Sequence, residues 1–435
     1  MANDGHEDLY PRDCCIAVTA HPALPVCCFP TTGGEESPIK LALAPAPSLL
    51  LPHCFVSIPH CGQQPAAGSP IPTPSPRFHL HYKSGEREPR GRQARGGGGG
   101  KMVHPIAEAD ERSPFGKLTP DEFYARHGVT HSTSSFVNPR GLRIFTQRWV
   151  PRDPAAPVLA AVAVVHGFTG ESSWMVQLTA VHLAAAGFAV AALDHQGHGF
   201  SDGLQGHIPD IEPVLDDCDA AFAAFRADYP PPLPFFLYGE SLGGAIALLL
   251  HLRRKDLWRD GVVLNGAMCG VSPRFKPPWP LEHLLAAAAA VVPTWRVAFT
   301  RGNIPERSFK VEWKRALALA SPRRTTAPPR AATALELLRV CRELQDRFEE
   351  VELPLLAVHG GEDTVCDPAC VEELCRRAGS KDKMLRVYPG MWHQIIGEPE
   401  ENVEKVFDEI IAWLKERAAS ATVGGAQGEA EQQLQ

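Results

Sequence analysis

The chain has no long unbroken apolar run. Its most apolar early stretch, "LALAPAPSLLLPHCFVSI", is interrupted by Pro45, Pro47 and Pro52 and is too short to span a bilayer. No secretory leader is expected from "MANDGHEDLYPRD", which is acidic and polar where such a leader needs a basic segment and then an apolar one. Asp4, Glu7, Asp8 and Asp13 argue equally against a transit peptide, which is poor in acids. There is no basic excess. The net charge of −7 speaks against a nucleic-acid binder, which needs a basic face. Finally, no C-x-x-C pair has a matching second pair, so the twelve cysteines do not read as a zinc site. Free thiols in a reducing compartment are expected, in a cytoplasmic protein that is at most peripheral to membranes.

What is present points to an enzyme-sized α/β core. The 435 residues are 44% hydrophobic, enough to bury one. Many of the 41 prolines and 37 glycines fall early. Residues 1–101 are rich in proline, alanine, serine and arginine, keep no apolar period and end in Gly96 to Gly100. Such a segment buries too little apolar surface to offset its ordering entropy, so a disordered extension is expected. Met102, followed by helix-compatible polar sequence, reads as the natural beginning of the functional protein.

From residue 134 the pattern becomes regular. "SSFVNPRGLRIFTQRWV" reads as two strands joined by a turn at Asn138 to Gly141. "VLAAVAVVHGF", "FAVAALD", "PFFLYGES" and "GVVLNGAM" are continuous apolar runs, as in strands covered on both faces. Helical spacing separates them, around Ser173 to Ala186, in "EPVLDDCDAAFAAFRADY" and in "LGGAIALLLHLRRK". This alternation predicts a mostly parallel sheet with helices on both faces. It lapses over 269–345, which reads as a helical cap inserted into the fold. "LPLLAVHGGED" and "KMLRVYPGMWH" resume the strands, and "ENVEKVFDEIIAWLKERA" closes the domain as an amphipathic helix. The expected division is thus 1–101 extension, 102–268 first part of the core, 269–345 cap, 346–419 second part of the core and 420–435 a loose tail.

One motif sits where chemistry is expected. In "FFLYGESLGGAIALLLH", Gly239-Glu240-Ser241-Leu242-Gly243 joins a buried strand to a helix. G-x-S-x-G alone is a weak signal, but that setting is the one a nucleophile elbow requires. The turn forces Ser241 into a sparsely allowed conformation, and side chains at 239 and 243 would collide. It would present Ser241 Oγ at a helix N-terminus, whose dipole favours a developing anion. A hydroxyl needs a base and the base an orienting acid. His393, in "YPGMWHQIIGEP", follows the last strand. Asp363, in "VHGGEDTVCDP", follows the strand before it and ranks above Glu362 and Asp367 because it comes first in the strand-to-loop position. The order Ser241, Asp363, His393 is that of α/β-hydrolases, and the long first gap holds the cap. Oxyanion donors are expected from the backbone N–H of Leu242 and, after "AVAVVHGF", of Phe168.

With these residues in hand the chain resembles the monoacylglycerol lipases of the serine-hydrolase superfamily (S33-like), particularly the plant branch that includes caffeoylshikimate esterase and lysophospholipase-like members. The resemblance spans about residues 120 to 415 and rests on "HGFTGESSW", "LDHQGHGFSDG", "YGESLGGA", "VHGGEDTVCDP" and "YPGMWHQIIGEPEEN". It implies an α/β-hydrolase fold and a carboxylic ester hydrolase working through an acyl-enzyme. It places triad and oxyanion donors on the residues already named, and it implies no metal and no organic cofactor. Many relatives have methionine where this chain has Leu242; a backbone donor is indifferent to that change. Monoacylglycerol is the favoured substrate, with a lysophospholipid or a hydroxycinnamoyl ester behind it.

Other residues offer rival readings. His198 and Asp202 suggest an acyltransferase pair, but their spacing is one residue short. A non-catalytic ligand receptor on the same fold is opposed by the intact triad. His166, His195, His198 and His207 read as hydrogen bonders that order loops, and Cys366 as a packing thiol. The run Leu284 to Val292 is expected to line an acyl site, with transient contact to a membrane or lipid droplet as the rival use. No partner beyond the lipid ester is implied, and nothing in the sequence specifies an oligomeric state.

Overall fold

A computed structural model describes residues 102–273, 276, 281–297 and 304–432, the side chains of 281–283 and 422–432 excepted. The expected extension, 1–101, lies outside these residues.

Helix α1 (Pro120–Arg126) opens the domain, with Thr119 and Glu122 forming a capping box. Strands β1 (Val129–Val137) and β2 (Arg143–Pro151) form a hairpin at the sheet edge. Then come β3 (Ala161–Val165), α2 (Met175–Ala185), β4 (Ala189–Leu193), α3 (Glu212–Ala227), β5 (Phe235–Glu240), α4 (Leu242–Arg253) and β6 (Val262–Asn265). The segment expected as a cap holds α5 (Leu281–Val291), α6 (Ile304–Ser308), α7 (Glu312–Ala320) and α8 (Ala331–Asp346). The chain returns through β7 (Leu355–Gly360), α9 (Pro368–Arg377), β8 (Lys383–Tyr388) and α10 (Glu400–Gln432).

The eight strands run in the order β1-β2-β4-β3-β5-β6-β7-β8. Pairs β1–β2 and β2–β4 are antiparallel and the rest parallel. The continuous apolar character of β3 has a direct cause. Ala161, Ala163 and Val165 join the core cluster that includes α3 and α4, while Val162 and Val164 join the one that includes α2 and α10. Both faces are covered, so both need apolar residues. In α10, Val403, Val406, Phe407, Ile410, Ile411 and Leu414 recur at helical spacing and are buried. The segment expected as a loose tail from Ser420 instead continues this helix to Gln432. Ala418, Ala419 and Ala421 favour helix and no proline interrupts, so a helix anchored on the sheet propagates onward.

Residues of α5, α6 and α8 line the same cavity as Ser241, which directly follows β5. Leu285, Val297, Ala331 and Leu338 make their own small core. Buried Lys314 donates to the Glu398 carbonyl at 2.6 Å and pins α7 to the start of α10. Among the described residues no helix is long and apolar enough to cross a membrane, and the described cysteines are free thiols.

Candidate active site

Ser241 ends β5 and caps α4 with φ 54° and ψ −118°, a conformation L-residues avoid. The surroundings hold it there: Ser241 N–H donates to the Asn265 carbonyl at 3.1 Å, and Met268 N–H donates to the Ser241 carbonyl at 2.9 Å. The flanking glycines are sterically required. A Cβ at Gly243 would lie 2.0 Å from the Val165 carbonyl oxygen, and one at Gly239 would lie 2.4 Å from that of Gly243.

Asp363 and His393 come together from separate loops. His393 Nδ1–H donates to Asp363 Oδ2 at 2.6 Å, with both side chains buried. Asp363 Oδ1 accepts from the N–H groups of Val365 and Cys366 at 2.7 and 3.0 Å. Burial pushes this carboxyl up, but the charge and hydrogen bond of His393 and the close approach of His359 outweigh it and hold it well below the usual carboxylate range. The rival acids lie elsewhere: Asp367 caps α9 through Ala369 N–H, and Glu362 is exposed.

The loop after β3 touches the serine. A Cβ at Gly167 would meet Ser241 Cβ at 2.9 Å, so only glycine lets the loop approach. Thr169 there has φ 69°. Phe168 lines the cavity beside Ser241. Among the described residues, neither its N–H nor that of Leu242 has an acceptor in the protein. Histidines order this loop. His195 N–H donates to His166 Nε2 at 3.1 Å, which leaves His166 Nδ1–H to donate to the Gly167 carbonyl at 2.8 Å. His195 Nε2–H in turn donates to the His166 carbonyl. His198 bonds the Gln196 carbonyl, while Asp202 bonds Arg143, so the two do not pair as an acyltransferase dyad would.

In this structure no hydrogen bond joins Ser241 to His393. Ser241 Oγ lies 3.9 Å from Cys366 Sγ. Cys366 also lines the cavity beside Ser241. Donor atoms of Asp363, Cys366 and His393 lie within 4.8 Å of one another, but the set does not suit a metal. Asp363 Oδ2 is occupied by His393, and burial, then the Asp363 charge, push the Cys366 thiol up and keep it protonated.

Sequence reasoning missed four polar groups. His359, fully buried on β7, places Nε2 3.1 Å from Asp363 Oδ2, obliquely enough that neither ring nitrogen has an aligned partner among the described residues. Glu240 is buried; burial pushes its carboxyl up to about 7. Glu171 is also raised to about 7, by burial and then by Asp194. Arg324 comes from the cap. Only His359, four residues before Asp363 across a strand end, carried a local signal.

The family model for serine aminopeptidase S33 (Hydrolase_4) matches residues 156–400. The chain belongs to this α/β-hydrolase family. Within it, the chain falls in the branch of the monoacylglycerol lipases and caffeoylshikimate esterases. It is 33% identical over 307 residues to a caffeoylshikimate esterase of Arabidopsis thaliana, covering 70% of this chain and 91% of that one. It is 30% identical over 300 residues to a monoacylglycerol lipase of Mycolicibacterium smegmatis, covering 66% and 97%. The human monoglyceride lipase is 29% identical over 287 residues, covering 66% and 91%. Among solved structures, a soluble variant of the Saccharomyces cerevisiae monoglyceride lipase with a substrate analogue superposes with a TM-score of 0.59 at 21% identity, covering 65% of this chain and 94% of that one. The Paleococcus ferrophilus monoacylglycerol lipase gives 0.53, also at 21%, covering 66% and 99%. These structures share the α/β-hydrolase fold with this S33 member.

Proposed function

We propose that this S33 member is a carboxylic ester hydrolase that cleaves monoacylglycerol to glycerol and a fatty acid through an acyl-enzyme on Ser241. The observation carrying this reading is the buried 2.6 Å Asp363–His393 pair beside a strained Ser241, opening into an apolar cavity. Asp363 holds the tautomer with hydrogen on Nδ1, which leaves Nε2 to accept a proton. Ser241 Oγ must swing from Cys366 toward Nε2; such bonds tighten in the substrate complex. As Oγ attacks the ester carbonyl, His393 takes its proton, and the oxyanion is held by the N–H groups of Phe168 and Leu242. Each such donor is worth about 3 kcal/mol. His393 then protonates the departing alcohol. It next activates a water that splits the acyl-enzyme.

Met268, Val271, Leu285, Val297, Leu337 and Leu338 give the cavity its apolar wall. Each methylene buried there favours binding by about 0.8 kcal/mol, which selects a long acyl chain. Helix α5 also supports contact with a lipid surface: Leu285 faces inward, while Leu284 and Val291 are 56% and 79% exposed, and Trp295 just beyond is 68% exposed.

A fluorophosphonate probe should label the wild-type chain and not Ser241→Ala. That variant should lose at least about a thousandfold in ester hydrolysis. A folded chain that stays unlabelled would make it a binding module instead. Competition among monoacylglycerol, lysophosphatidylcholine and caffeoylshikimate ranks the substrate classes, and preference for either of the last two would displace the glycerol ester.

A further inference from the structure

Arg324 stands between α7 and α8, so it belongs to the cap, yet its side chain lines the cavity that holds Ser241 and His393. It is half-buried. Its Nη2 donates to Thr169 Oγ1 at 3.2 Å, on the loop that carries Phe168. Its Nε is shut from solvent and has no partner among the described residues. A guanidinium offers five donors in a fixed fork, and leaving one buried and unmade is costly. Burial pulls this one down to about 10, while the charges of Glu171 and Glu240 support it from the protein side.

An acyl chain cannot satisfy a guanidinium, and the cavity already provides an apolar wall for one. Nε faces the protein, so it is the part of the guanidinium lining the cavity that meets the other half of the ester. The two carboxyls behind it balance its charge once they ionise, so an anion gains little there. A neutral alcohol rich in hydroxyl oxygens gains hydrogen bonds without meeting net repulsion. Lys276, an exposed cation also lining the cavity, is the competing feature that would favour an anionic head.

We propose that Arg324 is a specificity-determining residue that donates hydrogen bonds to hydroxyl oxygens of a neutral polyol in the alcohol half of the ester. This rests on the ester-hydrolase reading above. The test compares wild type, Arg324→Met and Arg324→Lys on a monoacylglycerol and on the methyl ester of the same fatty acid, which lacks those hydroxyls. Arg324→Met should lower kcat/KM for the monoacylglycerol by about 10- to 100-fold, mainly through KM, and leave the methyl ester within about threefold. Arg324→Lys should fall between. Retained methyl-ester hydrolysis also shows that the variants fold. Thr169→Val, which removes the contact to the loop alone, should leave the ratio of the two substrates unchanged. An equal loss on both esters, or no loss on the monoacylglycerol, overturns the assignment and makes Arg324 a prop of the loop. A lysophosphatidic acid that suffers the larger loss replaces the neutral polyol with an anionic head. A wild-type chain hydrolysing neither ester defeats the parent reading, and this one with it.

Discussion

At the scale of single residues, the chemistry around Ser241 is set by buried charge. Glu240 and Glu171 both sit at about 7 in the fold against an ordinary value of 4.5, burial being the largest cause for each. The sign follows from linkage. A carboxyl with a raised folded pKa binds its proton more tightly when folded, so its contribution is intact below about 4.5 and is lost as pH rises toward 7. The wild-type chain should therefore lose stability between pH 5 and pH 8. Glu240→Gln should flatten that fall by up to about 3 kcal/mol, read from chemical unfolding at the two pH values. Equal slopes in the two proteins would show that Glu240 is not the source. His359 makes a separate prediction. It shares Asp363 Oδ2 with His393, so His359→Leu should lower kcat by about tenfold, while His359→Gln, which keeps a donor, should recover most of it. Identical kinetics in folded His359→Leu would reduce the residue to filler. Neither the carboxyls nor their burial is written in the motif: Glu240 fills an unspecified position of G-x-S-x-G, and its environment comes from Tyr238, Asn265 and the cap.

Among the elements, the strand–turn–helix around Ser241 was the most legible because its requirements are local. The apolar run, the two glycines and the helix follow one another without a break. The glycines can be tested against one another. Gly243→Ala drives a Cβ to 2.0 Å from the Val165 carbonyl oxygen, in the packed centre of the fold. It should cost about 2–4 kcal/mol in urea unfolding and abolish probe labelling. Gly141→Ala, in the β1–β2 turn at φ 77° with nothing within 4 Å, should cost only about 1 kcal/mol. A cost at Gly243 no larger than at Gly141 would mean that the Val165 carbonyl yields to the new Cβ. The cap was far less legible. Its helices carry helical spacing, but the direction of Leu285 into the cavity and of Leu284 toward solvent depends on partners distant in sequence. Trp295→Ala, together with Leu284→Ser, should weaken sedimentation with anionic phospholipid vesicles while sparing hydrolysis of a short soluble ester. Unchanged sedimentation would remove the membrane role of α5.

For the whole molecule, the family match over 156–400 lies entirely after Met102. A chain trimmed to start at Met102 should keep full hydrolysis of its ester, within about twofold. A tenfold loss would give the preceding residues a part in the chemistry.

The sequence by itself determined the order of elements along the chain: alternating apolar runs and helices, a G-x-S-x-G turn at Ser241, and a carboxylate and a histidine after the last two strands. Those features depend on residues near one another, or on chain order, and both survive without coordinates. Only the tertiary structure decided that Asp363 and His393 meet at 2.6 Å, that His359 approaches the same carboxylate, and that Arg324 reaches across from the cap to Thr169. These contacts join segments far apart in the chain. Their chemistry comes from desolvation and close approach, which no local pattern encodes.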